Sequence, residues 1–183
     1  MLITFVQTKK YIMKNIKILL GAAILLFAGA KSIAQTDNIV GVAVNNENFS
    51  TLVTAVKAAE LVETLSSEGP FTVFAPTNDA FAKLPEGTVT SLLKVESSET
   101  LTAILTYHVV AGKYGAEDVI NAINGNEGSF TVSTVQGNEI TLTLENDKVV
   151  LTDANGGKAT VIMADVQASN GIIHAIDSVV MPM

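Results

Sequence analysis

Partway along this chain the spacing of its apolar residues changes from helical to strand-like, and no other feature limits the possible folds as strongly. In NFSTLVTAVKAAELVETLS, Phe49, Leu52, Val53 and Val56 stand at i, i+3, i+4 and i+7, one face of an amphipathic helix. The phase slips near Ala59-Glu60 before Leu61, Val62 and Leu65 resume it, which predicts two short helices or a bend, and Glu68-Gly69-Pro70 stops the run. FTVFA, Phe71 to Ala75, predicts a short strand ended by Pro76. Thr77 and Asn78 are both suitable N-caps for the helix in NDAFAKL, and Asp79 places negative charge where the helix dipole favours it. Thr88 is expected to cap a helix through Leu93, and Ser97 or Ser98 a further one. In that helix Leu101, Ile104, Leu105 and His108 share the apolar face, with Tyr107 at its edge. After Gly112 the period becomes two. Phe130, Val132 and Thr134 alternate with polar neighbours, as do Ile140, Leu142 and Leu144. Turns are expected at Gln136-Gly137-Asn138, Asn146-Asp147 and Asn155-Gly156-Gly157, and the tight-turn pair Asn170-Gly171 leads into IIHAIDSVV. On this last strand Ile172, His174 and Ile176 share a face opposite Asp177. Helices first and antiparallel strands later define an α+β fold.

The ends set the compartment. MKNIK at Met13, the thirteen-residue apolar run Ile18 to Ala30, and Ser32-Ile33-Ala34 have the basic, apolar and small-residue order of a secretory signal peptide. The run falls short of the ~20 residues that a spanning helix needs. We therefore expect residues 1–34 to be a leader cleaved after Ala34, with Met13 an alternative start, and residues 35–183 to be a single exported domain in the periplasm or the medium. Five of the eleven lysines precede Gln35 while all eighteen acids follow it, so the mature chain carries a formal charge of −12 with no arginine. Such a surface repels phosphate, which excludes nucleic acid as a partner and disfavours anionic membrane. With no cysteine, neither a disulfide nor a lipidated cysteine is available.

Neither catalysis nor metal binding finds its spacing. A Ser-His-Asp device would have to draw on His108 or His174, Asp79 or Asp177, and Ser169 or Ser178, and no G-x-S-x-G turn is present. The two histidines are 66 residues apart, with no H-x-H or H-x-x-x-H pair. Asp153-Ala154-Asn155-Gly156 opens like a calcium loop but lacks the later ligands, so a turn is the reading.

Three segments resemble the fasciclin (FAS1) domain family. GPFTVFAPTNDAFAKLP is similar to its first signature, NGIIHAIDSVVMP to its second, and LTAILTYHVVAGK to the Tyr-His segment between them, in the family's order from about Asp37 to Pro182. Ala111 and Val95 depart from the pattern, each standing where proline is frequent. The resemblance implies short helices packed on a wedge of two small, mainly antiparallel β-sheets. It also implies an extracellular adhesion or matrix-binding module with no conserved chemistry and no cofactor. In animal members the Tyr-His segment is tied to integrin binding, a role that the buried phase of His108 argues against here. Thr77, Asn78, Asp79, Tyr107, His108, Asn170, Gly171, His174 and Asp177 are the signature residues, expected to tie loops together or to contact a partner. The expected function is a secreted binding module without catalysis, whose partner is an extracellular protein or polysaccharide. The alternative is a hydrolase or small-ligand carrier using a pocket near His174 and Asp177. Oligomeric state is left open.

Overall fold

The computed structural model describes residues 37–94 and 97–183. The expected leader and Val95 lie outside the described residues. The helices are α1 (Ile39–Val44), α2 (Ser50–Ala58) after a 3-10 turn (Glu47–Phe49), α3 (Val62–Ser66), α4 (Asn78–Ala82), α5 (Thr88–Leu92), α6 (Ser98–Tyr107) and α7 (Ala116–Gly125). The strands are β1 (Phe71–Pro76), β2 (Val109–Ala111), β3 (Ser129–Ser133), β4 (Glu139–Glu145), β5 (Lys148–Thr152), β6 (Lys158–Ala168) and β7 (Gly171–Ile176).

Local chemistry explains most boundaries. The phase slip at Ala59-Glu60 is the break between α2 and α3, where Glu60 takes a left-handed φ of 57°. Thr77, not Asn78, is the N-cap of α4, its hydroxyl accepting the Ala80 N–H at 3.4 Å. One capping expectation is corrected and one holds by position only. Thr88 is the first residue of α5, because Gly87 at φ 83° occupies the cap, and Ser97 caps α6 without a side-chain bond. Asn146 and Asp147 both adopt left-handed φ, as the tight β4–β5 hairpin turn requires.

Helix α7 was not expected from the sequence. AEDVINAING offers only Val119, Ile120 and Ile123 as large apolar residues among Asn and Gly, which are poor helix formers. Asp118 compensates at the start by accepting the Gly115 N–H at 3.1 Å, and Val119 and Ile123, one turn apart, are both buried.

Spatial strand order is β2-β1-β7-β6-β5-β4-β3. The long β6 belongs to two leaves. Lys158–Thr160 pair antiparallel with β5, while Val161–Ala168 pair with β7 through two register shifts. One leaf is thus β2-β1-β7-β6 and the other β6-β5-β4-β3. Their far edges meet where Val110 bridges Thr134 and the Val135 N–H donates to the Val109 carbonyl at 2.7 Å. Simple succession of antiparallel strands fails at β1, which pairs in parallel with β7 along its whole length. This parallel pair is buried on both faces, as parallel strands usually are. Val73, Ala75, Ile173 and Ala175 face a core shared with α1, α2, α3 and α6. Phe74 and Ile176 face a second core, with Val119 and Ile123 of α7 and Leu142 and Leu151 of the other leaf. β1 and β7 form the wall between the two cores.

Candidate functional site

Apart from exposed Asp79, the signature polar residues are spent on holding this wall in place. Asn78 Oδ1 accepts the Thr51 N–H (3.0 Å) and the Ser50 hydroxyl (3.2 Å), while its Nδ2 donates to the Glu47 carbonyl at 2.8 Å. Asn170 Oδ1 accepts the Ile39 N–H at 2.9 Å, and its Nδ2 donates to the carbonyls of Leu65 and Ser67. The β6–β7 turn is made by Ser169 and Asn170. Gly171 opens β7 with no left-handed φ. It is glycine because a Cβ there would run into the Phe71 carbonyl oxygen across the parallel pair.

Tyr107 is not at the edge of a helix face. It is fully buried in the second core, its hydroxyl donating to the Glu139 carbonyl at 2.8 Å; burial raises its pKa. Its neighbour His108 is 2% exposed. His108 Nδ1–H donates to the Ile104 carbonyl at 2.8 Å, and Nε2 accepts the Val180 N–H at 3.3 Å, which requires the neutral ring. Burial pulls its pKa down to about 4, against opposing pulls from the Ile104 carbonyl and the Asp153 charge.

His174 is arranged in the same way. Its Nε2–H donates to the Tyr114 carbonyl at 2.8 Å, Nδ1 accepts the Asp165 N–H at 3.3 Å, and the ring stacks on Phe74 with centroids 5.7 Å apart. Asp177 does not orient it. Asp177 and Ser178 lie past the end of β7. Asp177 Oδ1 accepts the Thr160 N–H at 2.8 Å and Oδ2 pairs with Lys83 at 3.2 Å. Desolvation raises the Asp177 pKa, but the Thr160 hydrogen bond, Lys83 and the Ser178 hydroxyl together outweigh it and leave the carboxyl below its ordinary value. Ser178 Oγ meets Lys83 Nζ at 3.4 Å, not a histidine. No imidazole nitrogen in the described residues is left to act as a base.

Sequence reasoning missed three polar ties. Buried Thr72 donates to the Gly112 carbonyl and accepts the Tyr114 N–H. Asp165, at φ 60°, accepts the Ala116 N–H at 2.9 Å and so anchors the start of α7. Asp153 makes the expected turn, accepting the N–H groups of Asn155 and Gly157, but it also reaches the C-terminal segment through the Met181 N–H at 2.9 Å. Only the Asp153 turn carries a local signal, the D-x-N-G-G string.

Among the exposed side chains two large apolar ones stand together. Between its register shifts β6 presents Ile162 (53% exposed) and Met163 (46%) side by side, where alternation would hide one of them. A cleft of about 280 Å3 lies on one side, lined by Phe74, Val119, Ile120, Val149 and His174 with Asp147 and Lys148. A second cleft of about 150 Å3 lies on the other, lined by Asn46, Phe49, Thr77 and Asp79. Ile162 and Met163 line both. The cleft beside His174 therefore exists, but Asp177 is not part of it. In the sequence the unbroken run Val161-Ile162-Met163-Ala164 marks where strict alternation fails, but not which of its side chains meets solvent.

A wedge of two leaves sharing one strand, with its signature asparagines and histidines bonded to backbone groups, is a scaffold of the FAS1 class. The FAS1 domain pair of the insect cell adhesion molecule fasciclin I superposes with a TM-score of 0.71 at 22% identity, covering 79% of this chain and 51% of that one. The Fasciclin domain family model matches residues 47–182, and the chain belongs to that family. Protein sll1483 of Synechocystis sp. is 55% identical over 152 residues, 81% of this chain and 77% of its own length. Immunogenic protein MPB70 of Mycobacterium bovis is 39% identical over 151 residues, 80% of this chain and 69% of its own.

Proposed function

We propose that this chain is an exported adhesion or binding module that engages an extracellular partner and performs no catalysis. The observation that carries the reading is the fate of the imidazoles: all four ring nitrogens are held by backbone groups. A general base needs a ring nitrogen within reach of a substrate proton. Family membership supports the reading, as does fasciclin I, a cell adhesion molecule with the same fold. Export is supported by the basic, apolar and small-residue order of residues 13–34, with residues 35–183 as the mature domain. Among the described residues no helix is long and apolar enough to cross a membrane. The clefts beside the Ile162–Met163 ridge, at about 280 and 150 Å3, fall below the ~300–1,000 Å3 of small-molecule pockets.

The test is a deletion strain assayed for surface attachment and aggregation, beside purified protein offered ester substrates. Loss of attachment on deletion, restored by the wild-type gene, is the expected result. Ester turnover abolished by His174→Ala would replace this reading with the hydrolase.

A further inference from the structure

We infer that the Ile162–Met163 ridge with its two flanking clefts is the partner-docking surface, and that its occupant is an extended protein segment alternating apolar with basic residues. This rests on the binding-module reading and names the partner's chemistry.

Three observations lead to it. First, pairing with β5 stops at Thr160, and the register with β7 skips Ile162, Ala164 and Asp165. Met163 keeps Ala175 as its partner, but the edge of β6 beyond Thr160 has no β5 neighbour, and Ile162 and Ala164 on either side of Met163 stand outside the β7 register, beside two side chains about half exposed. An extended segment supplies both backbone hydrogen bonds and apolar side chains at alternate positions, one for each cleft. Second, the clefts are of side-chain size and share the apolar wall made by Ile162 and Met163, while Asp79, Asp147 and Asp165 stand around the ridge and Lys148 is the one cation among the residues lining either cleft. Acidic groups around an apolar wall select a basic partner and speed its encounter. Third, the excess of acids over lysines across the chain makes a second copy self-repelling on this face. Asp165 N–H is already held by His174 and Met163 is paired with Ala175, so the occupant's hydrogen bonds are expected at Ile162 and Ala164.

The experiment uses the purified protein and three short synthetic peptides: lysine alternating with leucine, glutamate alternating with leucine, and lysine alternating with serine. Binding is followed by amide chemical shifts and calorimetry. The Lys/Leu peptide is expected to bind, to shift the Ile162–Asp165 amides, and to weaken as salt rises. Ile162→Ser and Met163→Ser, both at exposed sites, are expected to keep the melting temperature and each to lower affinity roughly tenfold. Equal binding of the Glu/Leu peptide would overturn the charge assignment, and shifts mapping away from β6 would overturn the site. Dimerisation abolished by Ile162→Asp would make a second copy the occupant and overturn the partner. In the deletion strain, attachment fully restored by Ile162→Asp defeats the ridge while keeping the module reading. Attachment that deletion never affected defeats the module reading itself.

Discussion

At the scale of the residue, buried polar groups in this protein are secured by matching donor to acceptor, and among the described residues no buried side-chain nitrogen or oxygen lacks a partner. His108 makes the consequence measurable. Its pKa is about 4 in the folded protein against about 6.5 in an unfolded chain. A depressed pKa means that the unfolded state takes up the proton first. The stability supplied by neutral His108 is therefore complete above pH ~6.5 and is lost as pH falls toward ~4, by roughly 3 kcal/mol in all. Denaturant midpoints measured from pH 7 to 4 should fall, and the fall should be shallower in His108→Ala. That variant should also start about 1–3 kcal/mol less stable, since the Val180 N–H loses its partner while the Ile104 carbonyl keeps only the backbone N–H of residue 108. Gly171→Ala tests a different constraint. The added methyl meets the Phe71 carbonyl oxygen, so the parallel pair must part. A loss larger than the ~1 kcal/mol typical of point substitutions is expected in calorimetry. The phase of His108 with Leu101, Ile104 and Leu105 was legible in the sequence. The partner on its other nitrogen was not, because Val180 is 72 residues away.

At the scale of the element, strong periodicity translated directly into structure and weak periodicity did not. The break at Glu60, the strand from Phe71 and the β4–β5 hairpin follow from local spacing and turn chemistry. α7 does not, because its helix depends on Val119 and Ile123 finding the second core rather than on its own propensities. Ile123→Ala should accordingly cost about 2–5 kcal/mol in chemical denaturation. Ile162→Thr on β6, though equally aliphatic by sequence, should change stability by no more than about 0.5 kcal/mol because its side chain is about half in solvent. The contrast between these two isoleucines separates core from candidate docking surface in a single experiment.

At the scale of the whole molecule, the C-terminal segment closes the fold. Val180 is 1% exposed in the second core and donates its N–H to His108, while Met181 donates to Asp153. Asn155 Nδ2 holds the Met181 carbonyl at 3.2 Å. Removing residues 180–183 should therefore lower the melting temperature markedly, by the loss of a buried valine and two buried acceptors' partners, about 3–5 kcal/mol together. Thermal unfolding of the truncated chain beside the intact one checks this; an unchanged midpoint would show that the segment adds nothing. The sequence by itself determined the α+β class, the acidic character, and the inward placement of His108 and its helix face, because charge, composition and the 3.6 and 2.0 periods act over neighbouring residues. Three things belonged to tertiary structure alone: the parallel pairing of β1 with β7, the sharing of β6 between two leaves, and the exposure of Ile162 and Met163. Each depends on which distant segments share an edge. An apolar run such as Val161 to Ala164 reads identically whether a neighbouring strand covers it or solvent meets it, and only the register shifts in β6 decide between the two.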